Sequence, residues 1–487
     1  MKSSILKFLL NDRLVETDFA KTSLLPSTTV LNYLRMNRLI GTKEGCAEGD
    51  CGACTVTIAE LVNDKLVYKA VNSCLMFLSG LQGKQLITIE HLSENAGNNS
   101  LLHPVQEAMI NHHASQCGFC TPGMTMMIFS KYKSKSIVNP AQLRTALAGN
   151  LCRCTGYVSI LDAANEVLAN RAPDLFSMQE PEIVSILRKL NDGNSHFFNS
   201  ENQCYYLPCT LEDALDFRIS HPEAIIVNGA TDTAIKQNKQ FEYQKCFLDL
   251  SAVECLTKIE ETEKEYIIGS GCTITALKEF AAHNYQVMLP VLEVFASEQI
   301  RNVATVGGNL STASPIGDLL PMFIALGAEV EIASLSGRRK IYLEEFLTGY
   351  RSNALNKDEI LTAVVLSKVS ASPFCFFEKA SVRKQLDITT VNIAVCLELD
   401  PDSSVKTIRL VYGGMAAMVK RVKAVEDFCK EKKWSKQLVE DCFPMIDSYF
   451  QPISDARANA STRSILAQNL FLKAWVQSTA NKEMEDR

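Results

Sequence analysis

The chain has 487 residues, of which 47% are apolar and 21% charged, close to the globular average, and this excludes wholesale disorder, collagen and a long charged tail. At roughly 100 to 200 residues per domain the length predicts about three or four domains. The 49 basic and 55 acidic side chains leave a formal charge of -6, which argues against nonspecific binding to nucleic acid or anionic lipid.

No apolar run reaches the roughly 18 to 20 residues of a membrane span. Near the start, Phe8-Leu9-Leu10 stops at Asn11-Asp12-Arg13, so no signal peptide is expected. Seventeen cysteines without an export signal predict a cytoplasmic protein whose thiols are reduced or bind metal, rather than disulfides.

From the start to about residue 90 the pattern predicts short strands. Ile5 to Leu10 and Leu14 to Phe19 flank Asn11-Asp12, Thr55 to Leu61 alternates apolar and polar positions, and Leu66 to Val71 and Leu86 to Ile89 add two more. Thr29 to Met36 predicts a short helix. From about residue 100 the period becomes helical: Leu102, Val105 and Met109 share a face, and Thr121-Pro122 opens a helix carrying Met124, Met127 and Ile128, which are expected in its core. Asn139-Pro140 opens a third helix that Gly149 can stop, and Ile160 to Leu168 begins a fourth. Residues 171–204, with Pro173, Pro181 and Gly193, predict a connector. Beyond it, strands such as Ala224 to Val227 and Tyr266 to Ile268 alternate with helical stretches such as Thr275 to Ala282, an α+β body.

Eight of the seventeen cysteines fall between Cys46 and Cys154. Cys46, Cys51 and Cys54 form C-x4-C-x2-C, with Cys74 following 20 residues later, which is plant-type [2Fe-2S] spacing. Gly45, Gly49 and Gly52 let that loop turn back on a metal centre and aim N–H groups at sulfur. Cys117 and Cys120 form C-x2-C, and Cys152 and Cys154 form C-x-C after 31 intervening residues, enough for a second four-thiolate site. Two zinc sites are the alternative reading, although zinc ribbons usually pair two C-x2-C knuckles. The nine cysteines from Cys204 to Cys442 show no ligand spacing and are expected as core or surface thiols.

Two glycine loops, Asn228-Gly229-Ala230-Thr231-Asp232 and Thr305-Val306-Gly307-Gly308-Asn309, have the small residues and neutral donors that suit a pyrophosphate, though each alone equally suits an ordinary turn. Gly269-Ser270-Gly271 lacks the third glycine of a dinucleotide fingerprint, because Ile274 stands there, and Thr275 is expected as the N-cap of the next helix. His112-His113 is expected as a helix-surface pair. No hydrolytic or phosphoryl-transfer signature occurs.

Taken in series, Gly45 to Cys54, Gln116 to Gly123 and Gly149 to Tyr157 resemble the two [2Fe-2S] motifs of molybdenum hydroxylases. Val303 to Asn309 and Ala313 to Leu319 resemble the flavin-domain signature of the xanthine dehydrogenases within that family. The resemblance implies a multidomain α+β chain. Residues 1–90 would be a β-grasp ferredoxin domain, 91–170 a helical [2Fe-2S] bundle and 171–204 a linker. Residues 205–373 would be an FAD-binding PCMH-type domain and 374–487 a C-terminal α+β domain like that of CO dehydrogenase flavoproteins. It further implies cluster ligands Cys46, Cys51, Cys54 and Cys74, and Cys117, Cys120, Cys152 and Cys154. The implied FAD contacts are Ile226, Val227, Asn228, Gly229, Ala230, Thr231, Asp232 and Thr233, then Phe295, then Thr305, Val306, Gly307, Gly308 and Asn309, and finally Asp318, Leu361 and Lys379.

Since the family's molybdopterin domain needs several hundred further residues, the resemblance implies the small subunit of a split, bacterial-type enzyme. A separate molybdenum-binding large subunit would be its partner, in an (αβ)2 heterotetramer, with NAD as acceptor and no nucleic acid or membrane partner. The substrate-transforming residues are then expected on the partner, and none on this chain. Gln116 resembles the glutamine that touches the pterin in relatives, so the helical domain would face the partner, its alternative reading being a polar residue at a helix end, and Tyr350 falls where relatives place a tyrosine near nicotinamide, its alternative reading being a half-buried aromatic. Lys384-Gln385-Leu386 departs from the family's acidic residues. The rivals are the same unit serving an aldehyde or N-heterocycle hydroxylase, a stand-alone diaphorase, and a zinc-stabilised scaffold.

Overall fold

The computed structural model describes residues 4–94, 102–134, 139–368 and 374–485. The expected boundary at residue 373, and the parts of the expected helical region at 95–101 and 135–138, lie outside the described residues. Two compact units form: Met1–Glu254 with Ala296–Ala304, and Cys255–Phe295 with Thr305–Arg487.

The first unit opens with a five-stranded mixed sheet in the order Arg13–Asp18, Ile5–Leu10, Gln85–Ile87, Thr55–Val62, Lys65–Asn72. Ile5–Leu10 and Gln85–Ile87 run parallel, and the other pairs are antiparallel. Period-two alternation puts Leu6, Phe8, Val56 and Ile58 on the buried face, where the helix Val30–Met36 covers them with Val30, Leu31 and Leu34. Thr29 caps that helix by accepting from the Asn32 N–H at 3.3 Å. Asn63 and Asp64 both take positive φ in the two-residue turn joining Thr55–Val62 to Lys65–Asn72, the geometry that matches strand twist. This is the expected β-grasp sheet.

A helical bundle follows, made of Pro104–Asn111, Thr121–Ser134, Pro140–Leu147 and Val158–Ala169. His103 with Gln106, and Asn139 with Gln142, form capping boxes ahead of an N1 proline. Met124 and Met127 are fully buried with Val105, Ile128, Leu143 and Ile160, as their helical spacing predicted.

The expected connector instead carries a 16-residue helix, Leu175–Leu190. Asp174 caps it, Phe176, Ile183 and Leu187 bury one stripe, and Pro181 inside it hid that stripe from a reading based on breakers. Asp174 also accepts from Lys133 Nζ at 2.8 Å, Ser177 N at 2.7 Å and His103 Nε2 at 3.2 Å, which ties this helix to the bundle. A four-stranded sheet completes the unit, ordered His196–Asn199, Cys204–Leu207, Cys246–Asp249, Ile225–Val227, with the last three parallel.

Cys204 and Cys246 are direct partners in that sheet and form a disulfide, which corrects the expectation of free thiols at these two positions. Parallel pairing in register puts their Cα atoms 4.6 Å apart, within disulfide reach, a proximity invisible at a sequence separation of 42. Of the other scattered cysteines, Cys272, Cys396, Cys429 and Cys442 are buried and Cys255 is exposed.

The second unit holds an antiparallel sheet ordered Ile259–Glu261, Glu265–Gly269, Ile360–Ser367, Glu329–Ser334, Gly337–Tyr342. It also holds an antiparallel meander of Phe374–Ala380, Val391–Leu399, Val405–Gly413 and Lys420–Arg421. Helices from Lys423 onward, ending with Ala460–Glu485, pack on the meander through Val425, Val439, Ile446, Ala467 and Phe471. The helix Ile274–Asn284 is capped by Thr273, which accepts from Ala276 N at 3.2 Å. Thr275, the expected cap, lies within its first turn, because Thr273 is the residue with the extended φ and ψ a cap needs. Among the described residues no helix is long and apolar enough to cross a membrane.

Candidate iron-sulfur and flavin sites

The first cysteine loop lies between the helix Val30–Met36 and the strand Thr55–Val62, where the chain must turn tightly beside the buried sheet. Its backbone points into the turn. Cys46 Sγ accepts from the N–H groups of Asp50 and Cys51 at 3.3 Å and of Glu48 at 3.5 Å, and Cys51 Sγ accepts from Cys46 N at 3.3 Å. The neighbouring Cys51 thiol and these N–H donors hold the Cys46 thiol down to about 5. Cys54 and Cys74 form a second, buried pair with sulfurs 3.3 Å apart. Four thiols in two pairs, with N–H donors aimed at sulfur, fit a two-iron cluster in which each iron takes two thiolates.

The second set lies at helix ends of the bundle, again in two pairs: Cys117 beside Cys154, and Cys120 beside Cys152. The Phe119 N–H and the Cys154 thiol lower Cys117, while burial and the Cys152 thiol push Cys120 up to about 12. Tyr157 takes a positive φ, and its hydroxyl accepts from the Cys152 N–H at 2.8 Å. Cys117 and Cys154 are exposed, next to the exposed side chains of Gln116, Phe119 and Leu151.

The two cysteine loops touch. Leu151 N donates to the Cys51 carbonyl at 2.9 Å, and Asn150 Nδ2 donates to the Gly52 carbonyl at 2.9 Å. Glycines permit this approach: a Cβ on Gly52, where φ is +68°, would lie 2.2 Å from the Gly149 carbonyl, and one on Gly123 would lie 2.3 Å from the Gly52 carbonyl.

Of the expected flavin contacts, Ile226 and Val227 end a strand, Asn228 to Asp232 form the following loop, and Thr233 begins the helix Thr233–Gln240. Gly229 takes φ +84° and packs so closely on the Val303 carbonyl that a Cβ would be 2.0 Å away. Asn238 on that helix donates to the carbonyls of Cys74 at 2.7 Å and Ala47 at 3.0 Å, so the helix leaving this loop grips the first cysteine loop. Sequence reading missed Asn238, because a lone polar residue on an exposed-looking helix carries no signal.

In the second unit Thr305 caps the short helix Val306–Ser311 by accepting from Gly308 N at 3.2 Å. Gly307 N donates to Ser270 O at 2.7 Å and Val306 N to Cys272 O at 2.9 Å. The Gly269 to Cys272 turn, rejected above as a dinucleotide site, is therefore the bed for the other glycine loop. Gly308 remains exposed, and Asn309 Oδ1 is buried with no hydrogen-bond partner among the described residues. An exposed glycine backbone beside neutral side-chain groups fits a pyrophosphate-bearing cofactor. Asp318 and Lys379 are brought together at 2.7 Å, and Thr389 also donates to Asp318, a partner the sequence did not announce. Phe295 and Leu361 are both buried. Tyr350 is 65% exposed, which corrects its reading as a half-buried aromatic. His112 pairs with Glu166 at 2.6 Å near the bundle surface.

Four family models match in series: a 2Fe-2S iron-sulfur cluster binding domain at 21–79, a [2Fe-2S] binding domain at 88–165, the FAD binding domain in molybdopterin dehydrogenase at 198–367, and the CO dehydrogenase flavoprotein C-terminal domain at 376–478. The chain is 33% identical over 472 residues to the xanthine dehydrogenase of Drosophila subobscura, covering 85% of this chain and 34% of that protein. It is 30% identical over 525 residues to that of Oryza sativa subsp. japonica, covering 93% and 38%. The chain thus spans little more than a third of the length of these relatives. Among solved structures, a carbon monoxide dehydrogenase from Hydrogenophaga pseudoflava superposes with a TM-score of 0.53 at 20% identity, covering 56% of this chain and 96% of that one. Quinoline 2-oxidoreductase from Pseudomonas putida 86 gives 0.52 at 21%, covering 56% and 95%, and at these identities both likenesses speak for the fold alone. With two paired-thiol sites on one unit, and the four models covering most of its length in order, the chain carries the two [2Fe-2S] domains, the FAD-binding domain and the flavoprotein C-terminal domain that make up the iron-sulfur and FAD-binding portion of a molybdenum hydroxylase, with two [2Fe-2S] clusters and FAD as cofactors.

Proposed function

We propose that this chain is the electron-transfer subunit of a xanthine dehydrogenase, receiving electrons from a partner subunit that bears molybdopterin and oxidises hypoxanthine and xanthine to urate, and delivering them to NAD. When bound, the clusters exchange single electrons and FAD exchanges two, so electrons arriving singly can leave as a pair.

The observation that carries this reading is the order of contacts within the first unit. Cys117 and Cys154 of the second set are exposed and Cys120 and Cys152 half-buried, its loop is hydrogen-bonded to the first set through Leu151 and Cys51, and the first set is held by Asn238 on the helix that follows the Asn228 to Asp232 loop. Exposed Cys117 and Cys154, with Gln116, Phe119 and Leu151 around them, suit coverage by the molybdenum-bearing partner.

The eight cysteines would hold the clusters. Ile226 to Thr233, Phe295, Thr305 to Asn309, Asp318, Leu361 and Lys379 would contact FAD, with Lys379 kept in place by Asp318. We place domain boundaries at 90, 170, 204 and 373, the assembly as (αβ)2, and the protein in the cytoplasm, where ligand thiols stay reduced.

The test is the iron, sulfide, flavin and molybdenum content of the anaerobically copurified complex, with spectra before and after xanthine. Bleaching of the flavin and iron-sulfur bands, reversed by NAD, is the expected result. If both cofactors are present and xanthine reduces neither, the xanthine assignment falls and an aldehyde or other N-heterocycle becomes the substrate class to try. If no molybdenum protein copurifies and the chain passes electrons from NADH to an added acceptor dye, the chain is a diaphorase.

A further inference from the structure

The segment Ala296–Ala304 lies in the first unit, far along the chain from both cysteine loops, yet it is built into the place where they meet. Its short helix Glu298–Arg301 carries Gln299, whose side chain is fully buried between Thr55, one residue after Cys54, and Asn150, two residues before Cys152.

The hydrogen bonds admit one arrangement. Thr55 Oγ1 donates to the Gly52 carbonyl at 2.6 Å, so it can only accept from its other neighbours. Asn150 Nδ2 donates to that same carbonyl at 2.9 Å and to Thr55 Oγ1 at 3.1 Å, which turns Asn150 Oδ1 away as an acceptor. Gln299 Nε2 supplies the donor both oxygens need, at 2.7 Å to Asn150 Oδ1 and 3.2 Å to Thr55 Oγ1. Its own Oε1 is buried with no partner among the described residues and lies where a Cβ on Gly149 would fall, 2.2 Å away. A buried amide with one side fully used and the other unpaired is costly as mere packing. One donor group serving both cysteine loops sets their separation.

We propose that Gln299 is a positioning residue for electron transfer between the two clusters, fixing the spacing of the first and second cysteine loops through Thr55 and Asn150. The proposal rests on both clusters being bound, and leaves open which substrate feeds them.

The variants are Gln299→Met, which keeps length and removes both donors, and Gln299→Glu, which keeps shape and presents acceptors to acceptors. Asn302→Ala is the control. It removes a bond from the same segment, 2.9 Å to the Ala70 carbonyl, that touches neither cysteine loop. Each protein is purified as the complex, assayed for iron, and followed by electron paramagnetic resonance during a redox titration. The expected result is that Gln299→Met and Gln299→Glu lose or reduce the splitting caused by the two reduced clusters acting on each other and shift at least one midpoint potential, while Asn302→Ala keeps both. Failure of Gln299→Met alone to load one cluster, with Asn302→Ala fully loaded, also supports the assignment. Wild-type splitting and potentials in both Gln299 variants overturn it, and so do equal changes in Asn302→Ala. Absence of iron from the wild type would instead remove the cluster reading itself.

Discussion

Replacing Gly52 by alanine tests whether the two cysteine loops are in contact. Two costs arise at this position. A non-glycine residue at φ +68° stores about 1–3 kcal/mol of backbone strain. The new methyl group would also sit 2.2 Å from the Gly149 carbonyl and 2.8 Å from Asn150 Cα, both backbone atoms that cannot swing aside, and overpacking of this kind costs about 1–3 kcal/mol more. Gly193 separates the two terms, because its φ is +72° with nothing within 4 Å of a built Cβ, so Gly193→Ala should carry the strain alone. The assay is loss of visible iron-sulfur absorption with temperature, together with iron per chain. Gly52→Ala should lose absorption at a lower temperature than Gly193→Ala, by an amount corresponding to about 1–3 kcal/mol, and should bind less iron. Equal midpoints and full iron in both variants would refute the contact between the loops.

Cys74→Ala should lower iron from about four to about two per chain, because two [2Fe-2S] clusters hold four irons and only the first set uses this buried thiol; unchanged iron would remove Cys74 from the ligands. Lys379→Met leaves the Asp318 carboxylate, among the described residues, with Thr389 as its side-chain partner, should cost about 3–5 kcal/mol as a broken buried pair and should reduce bound flavin, measured by release on heating. Burial works to raise the Asp174 carboxyl, but bonds from His103, Lys133 and Ser177 outweigh it and hold the group well below the usual carboxylate range. A carboxyl depressed on folding contributes its stability above the unfolded value of about 3.9 and loses it as pH falls toward the folded value, so the first unit should weaken below about pH 4. Asp174→Asn should lack that acid-dependent loss and should be destabilised by about 3–5 kcal/mol at neutral pH, since the buried Lys133 ammonium would keep Ser177 Oγ at 2.8 Å but, among the described residues, no carboxylate nearer than Glu180 at 3.6 Å, as read from hydrogen exchange along Leu175–Leu190.

Local chemistry made much of this molecule legible in advance. Cysteine spacing is a statement about ligand reach along a few residues, so the C-x4-C-x2-C loop with Cys74, and the later C-x2-C and C-x-C, led to the two thiol sets that the fold closes. The same holds for the alternating Ile5 to Leu10 strand, the methionine core at Met124 and Met127, and the helix starts at Thr121 and Asn139, because period and capping are decided within a turn or two. The helix Leu175–Leu190 was masked by Pro181, since its burial of Phe176, Ile183 and Leu187 depends on neighbours that periodicity does not name.

Tertiary structure alone decided what lies far apart in the chain. Cys204 meets Cys246 only because their strands pair in parallel register, and Thr389 joins Asp318 only through the fold of the second unit. Asn238 reaches Cys74, and Gln299 reaches Thr55 and Asn150, over separations of 164, 244 and 149 residues. A cofactor loop carries its signature because its ligands must be close along the chain. The side chains that set the spacing between two such loops need only be close in space, and the burial that makes their hydrogen bonds matter exists only after folding.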